Sequence, residues 1–350
     1  MKFGMILLVA LFVIPLTTRA QNSVAATPMV SPPSAVSSRL QITASTKVPS
    51  VGSTLVGSAK CDDDGNIYAR TEHPGDDNYD GTKVPVQKIK PDGSVVESFK
   101  VTDAGTDISA MDFFVSGDGK VYEDAWTQEG KFVHVLEFSG DGSLKTNIPL
   151  DPENSIYPYQ IAVFRSGEFL VSGLHGLHLQ TPITAVFDAK GKLIKNIYEP
   201  EDEESRQKAE AGDAAFISDS GYGNYYASHG DVALGSDGNA YLLRAVSPAL
   251  IYVISPKGEA IRKMRIESPD PGWVARTIRP ASGRLAVSFA QRGYLDGIIR
   301  VVDLEGHPIV DYISDDKSIH PGLLACYTAA SLTFINTDGK DVHLYKAEPK

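Results

Sequence analysis

The chain has 350 residues, 42% of them hydrophobic and 22% charged, which is ample for one large core and excludes a disordered chain. Its formal net charge of −11 comes from 44 acidic against 33 basic side chains, spread with no basic cluster. A long nucleic-acid footprint is thereby excluded.

Residues 1–20 read as a secretory signal peptide: Lys2, an apolar run from Met5 to Leu16, then Thr18-Arg19-Ala20 with small residues at the cleavage positions. A second cut is possible after Ala26. The apolar run is too short for a stable span, so the mature chain is expected to be secreted or periplasmic, without a membrane span. Residues 21–37, rich in Ser, Pro, Ala and Val, read as an extended linker. The folded body is expected over residues 38–350. It opens with a short strand, Leu40-Gln41-Ile42-Thr43.

Beyond Val51 two strand-turn-strand phrases alternate. The first is Cys61-Asp62-Asp63-Asp64-Gly65-Asn66-Ile67-Tyr68, which returns around Gly119, Gly167, Gly238 and Gly283. The second is Gln87-Lys88-Ile89-Lys90-Pro91-Asp92-Gly93-Ser94, with glycines again at 142, 191, 258 and 306, so that the steps are 49, 49, 67 and 48 residues. The flanking runs alternate apolar and polar residues, and the Asp-Gly and Lys-Gly turns suit tight hairpins. Each pair of phrases thus makes a four-stranded antiparallel unit, and units recurring at this interval suit the blades of a propeller.

Within the first unit, Asp76, Asn78 and Asp80, followed by Gly81, match the first half of a calcium loop, although Gln87 stands where a bidentate Glu is wanted. Calcium is the one cofactor suggested, and an acidic turn is the alternative. His175 and His178 belong to no closed zinc spacing and read as loop residues. The long step holds an insert at about residues 199–226. In it Pro200 to Glu204, Arg206, Lys208 and Gly212 suggest a short surface helix, and Phe216, Tyr222, Tyr225 and Tyr226 a lid over the channel or a pin to the disc.

Five complete units end near Asp315, and the remainder offers three strands, around Cys326, Phe334 and Leu344. The missing fourth is the strand at Leu40. The expected architecture is therefore an all-β, six-bladed β-propeller of four-stranded antiparallel blades, its ring closed by the N-terminal strand. The repeat places Cys61 and Cys326 on innermost strands of adjoining blades, where export favours a disulfide; two buried thiols are the alternative.

The Asp-x-x-Gly-Asn-x-Tyr phrase at Asp62–Tyr68 and the Pro-x-Gly hairpin at Pro91–Gly93 resemble the NHL-repeat and TolB-like propellers over about residues 40–347. That resemblance implies architecture rather than one function, since its members include scaffolds, sensors, lactonases and lyases. Both hairpins of each blade fall on one face of the disc, so a site is expected on the opposite, long-loop face near the axis. There Tyr157, Tyr159, His229, Trp273, Arg276 and His320 begin, or flank, the innermost strands, as candidates for binding a small polar or anionic ligand. Propeller lactonases hold an axial metal with Glu, Asn and Asp from innermost strands, a set not visible in Ala110-Met111-Asp112-Phe113, Asp231-Val232-Ala233-Leu234 or Thr277-Ile278-Arg279-Pro280. The expected function is a non-catalytic binding module for a small molecule or protein, with a lactonase-like hydrolase or lyase at the channel mouth as the alternative.

Overall fold

The computed structural model describes residues 35–49, 52–72, 80–127, 133–151, 156–175, 181–197, 230–245, 247–291 and 296–350. The expected signal peptide, most of the linker, the insert, Asp76, Asn78, His178 and His229 lie outside the described residues.

The chain is an all-β propeller. Strands β2 (Thr54–Cys61), β3 (Ile67–Glu72), β4 (Val86–Ile89) and β5 (Val95–Phe99) form one four-stranded antiparallel sheet. The pattern repeats in β6 (Ile108–Val115), β7 (Val121–Thr127), β8 (Val133–Phe138) and β9 (Leu144–Pro149). It repeats again in β10 (Ile156–Val163), β11 (Phe169–His175), β12 (Thr181–Phe187) and β13 (Leu193–Ile197), and in β14 (Asp231–Leu234), β15 (Ala240–Arg244), β16 (Ala249–Ile254) and β17 (Ala260–Ile266). The remaining strands, β18 (Val274–Ala281), β19 (Arg284–Ala290), β20 (Gly297–Asp303), β21 (Pro308–Ile313), β22 (Leu324–Tyr327), β23 (Leu332–Thr337), β24 (Val342–Pro349) and β1 (Val36–Val48), share one eight-stranded sheet.

This larger sheet departs from the expected separate blades, and β1 is the reason. Its first part, Val36 to Arg39, runs parallel to β21, while Leu40 to Val48 lies antiparallel on β24. The strand therefore begins before the expected boundary at residue 38 and welds the last two groups of strands together. The eight strands run in the order β18-β19-β20-β21-β1-β24-β23-β22, which puts β1 between β21 and β24.

Burial grades outward from the axis and explains the residue pattern. Strands β15 and β19, second from the axis, are buried nearly throughout and read as apolar runs, Ala-Tyr-Leu-Leu and Leu-Ala-Val-Ser-Phe-Ala. Outer strands such as β17 alternate exposed and buried residues, as a sheet with one wet face requires. The first strands β2, β6, β10, β14, β18 and β22 pack each on the next, and β22 returns to β2.

The second-phrase hairpins repeat one contact around the disc. Gly191 takes φ +83°, and a Cβ there would meet the Pro149 carbonyl oxygen of the preceding unit at 2.1 Å, so glycine is required twice over. Gly142 seats in the same way on Ser98 of β5, and Gly93 on Lys47 of β1. Strand β1 thus offers the first unit the support that an outermost strand offers every other.

Cys61 and Cys326, 265 positions apart in sequence, form a disulfide with Cα atoms 5.5 Å apart. It joins β2 to β22 and leaves no free cysteine among the described residues. In the loop-entropy model such a long closure restricts the unfolded chain by about 5–6 kcal/mol. No helix among the described residues is long and apolar enough to cross a membrane.

Candidate functional site

The first-phrase turns are held by their own side chains. Asp62 Oδ1 accepts from the Asn66 amide at 2.9 Å, and Oδ2 accepts from Asn66 Nδ2 at 2.8 Å and from the Tyr68 hydroxyl at 3.0 Å. Asp237, Asn239 and Tyr241 repeat the trio, with the Tyr241 hydroxyl 2.9 Å from Asp237 Oδ2. Burial, reinforced by the neighbouring aspartate, pushes both phenols far above their ordinary range, so both stay donors. The phrase that carried the family resemblance is therefore a structural staple.

At the far ends of the first strands, Cys61, Val115, Val163, Leu234, Ala281 and Tyr327 converge around a cup of about 750 Å³. Its mouth is on the hairpin face, opposite the face where a site was expected. Its floor is made of Lys60, Arg279 and the Cys61–Cys326 disulfide. Charged groups of both signs line its sides, among them Asp63, Asp118, Lys120, Arg165 and Arg284. Lys120 pairs with Asp118 at 3.2 Å. Burial raises the Tyr327 phenol, which a hydrogen bond from Arg284 opposes.

Beneath the floor, two ion pairs, one part-buried and one buried, stitch first strands together. Lys60 Nζ reaches Asp112 Oδ1 and Oδ2 at 3.0 and 2.9 Å and also donates to the Phe113 carbonyl. Asp112 Oδ2 accepts in turn from the Ile161 amide at 3.3 Å, joining β2, β6 and β10. On the other side Arg279 pairs with Asp231 and donates to the carbonyls of Ala325 at 2.9 Å and Ala59 at 2.5 Å. Asp231 Oδ2 also takes the Ile278 amide at 3.2 Å. One arginine thereby ties β14, β18, β22 and β2.

A second polar layer stands behind the first strands. Asp124 Oδ1 accepts from the amides of Asp112 and Met111 at 2.7 and 3.2 Å, capping the bulge in β6. Arg70 spans to the neighbouring sheet, 3.1 Å from Glu123 Oε2 and 2.6 Å from the Met111 carbonyl. Glu123 and Asp124 are fully buried. Burial outweighs Arg70 and pushes Glu123 up to about 7, with Asp112 adding to the rise; Asp124 moves the same way, from burial and from the charge of Asp112.

These raised values set a pH dependence. The folded protein holds a proton on Glu123 that the unfolded chain releases from about 4.5, so stability falls as pH rises from about 4.5 through about 7. For Glu123 alone the expected loss is on the order of 3 kcal/mol. Urea unfolding across this window should show the slope, and Glu123→Gln should flatten it, leaving the part due to Asp124. A stability that rises with pH over the same window would contradict the assignment.

The expected site residues that the structure describes lie within, or just before, the opposite ends of the first strands. Tyr157 and Tyr159 form an edge contact at 5.4 Å, and Trp126, which sequence reasoning passed over, packs on Tyr157 at 5.1 Å. Trp273 precedes β18 and packs on the core between β14–β17 and β18–β21; Arg276 lies within β18. His320 precedes the 3-10 turn Pro321–Leu323, its Nδ1 buried with no hydrogen-bond partner among the described residues. Of the calcium-loop residues, Asp80 is described: it caps the 3-10 turn Gly81–Lys83, accepting from Thr82 N at 3.1 Å.

No protein-family model matches the chain, and no curated protein sequence matches it. Solved structures do. The calcium-binding protein regucalcin from Agrobacterium tumefaciens aligns with a TM-score of 0.52 at 9% identity, covering 91% of this chain and 98% of that one. A protein named provisionally as a gluconolactonase aligns at 0.50 with 11% identity, covering 89% and 93%. At such identities the likeness shows the fold alone, a β-propeller.

Proposed function

We propose that this chain is an exported, six-bladed propeller of the NHL-repeat and TolB-like type that takes a small polar molecule into the hairpin-face cup. The blade count treats the eight-stranded sheet as two blades joined through β1, supported by the cycle of six first strands. The observation that carries the binding reading is the cup itself, within the volume range of small-molecule sites and lined by both charged and aromatic groups. Lactonase-like hydrolysis is the activity to test there first, because one propeller of similar fold carries the provisional name gluconolactonase. A binding module without turnover is the second reading, favoured by floor charges that are already committed to stitching the axis.

The experiment is a thermal-shift screen of the mature chain against lactones, sugar acids and other small polar metabolites, followed by a hydrolysis assay on the lactones. A ligand that raises the melting temperature in the parent protein but not in Arg165→Ala or Arg284→Ala supports the cup. Turnover supports the hydrolase reading, and saturable binding without turnover the binding module. A ligand indifferent to both cup variants but lost in His320→Ala would move the function to the opposite mouth.

A further inference from the structure

The fold likeness to a calcium-binding propeller raises the question of whether a divalent cation fits the axis of this chain. Two carboxylates reach the axis from first strands, Asp112 and Asp231, and every oxygen of both is engaged. Asp112 takes Lys60 on Oδ1, and Lys60 and the Ile161 amide on Oδ2. Asp231 takes the Val232 amide on Oδ1, and the Ile278 amide and Arg279 on Oδ2. The two cations are themselves fixed: Lys60 is 6% exposed and Arg279 5%. Arg279 spends further N–H groups on the carbonyls of Ala59, Ile278 and Ala325.

A hard divalent ion seeks six or more oxygen ligands, several of them anionic. At this axis it would have to evict an ammonium or a guanidinium from each carboxylate, and the evicted charge would stay buried beside the incoming ion. The donor set therefore does not fit a metal. Among the described residues, three His, Cys, Asp or Glu side chains close enough to share an ion occur at Asp338, Asp341 and His343 on the β23–β24 hairpin, not at the axis.

We infer that Lys60 and Arg279 stand in the place of an axial metal: the chain neutralises Asp112 and Asp231 with its own cations, and the axis takes no divalent ion. Ring closure is then insensitive to chelators, and the chemistry of the cup proceeds without metal bound to Asp112 or Asp231.

The test is elemental analysis of the mature chain after equilibrium dialysis against calcium, manganese or zinc, paired with melting curves in each metal and in EDTA. Expected are no stoichiometric ion dependent on the axis and the same melting temperature in EDTA as in calcium. One ion per chain that disappears in Asp112→Asn or Asp231→Asn would overturn the inference. So would a melting temperature that falls in EDTA and returns on adding the metal, in a chain whose Asp341→Asn and Asp80→Asn variants behave identically. An ion lost instead in Asp341→Asn or Asp80→Asn belongs to a surface turn and leaves the axis metal-free, as inferred.

Discussion

Replacing Arg279 with methionine is expected to destabilise the fold by about 3–5 kcal/mol, the range for removing one partner of a buried ion pair. Asp231 is 2% exposed and would be left charged with only backbone amides beside it. The same change removes the donors that hold the carbonyls of Ala59 and Ala325, so β2 and β22 lose their tie to β18. Arg279→Lys should recover part of the loss, because an ammonium restores the charge but not the fork that reaches several strands. Urea unfolding of the mature chain measures both. A loss below about 1 kcal/mol, the level of an exposed surface pair, would show that the stitch is not structural.

Deleting Ser38 to Thr46 is expected to give aggregation or a sharply lowered melting temperature. The deletion strips β24 of its partner along most of the register from Leu40 to Val48 and leaves an unpaired edge. It also removes Thr46 and cuts Lys47 loose from the strand that holds it, and these two residues seat the Gly93 hairpin: a Cβ at Gly93 would lie 2.6 Å from the Lys47 carbonyl oxygen and 2.8 Å from the Thr46 methyl carbon. The disulfide still ties β2 to β22 in this variant, so the loss reports the outer edge rather than the inner seam. Size-exclusion chromatography with a melting curve checks it. An unchanged melting temperature in a monomeric deletion variant would refute closure by β1.

The strands were legible because their signal is local. Alternation, Asp-Gly turns and a regular step locate both hairpins of a unit, and the phase of the repeat carried Cys61 and Cys326 to neighbouring first strands. The axial stitches were not legible, although Lys60, Asp112, Asp231 and Arg279 stand in plain view in the innermost-strand sequences. Their facing depends on register irregularities, as between Val56 and Lys60, Ala110 and Phe113, and Ala275 and Ile278. At the second and third of these one extra residue turns the next side chain to the other face, at the first two extra residues interrupt the pairing, and nothing in the hydrophobic pattern announces either. The cup was missed for a different reason. Short uniform turns read as a tight face, but the gap where several turns meet is set by the width of the ring, which no single turn records. The weld between β21 and β1 likewise depends on where residues 36–39 land after the chain has closed.

A crystal structure with the strongest ligand from the screen decides whether the chain binds that ligand at the hairpin end of a metal-free axis. Ligand density is expected in the cup above Lys60, Arg279 and the disulfide, within reach of Arg165 or Arg284, with intact ion pairs from Lys60 to Asp112 and Arg279 to Asp231. Density at the other mouth, among Tyr159, Trp273 and His320, or a metal ion between Asp112 and Asp231, would contradict it.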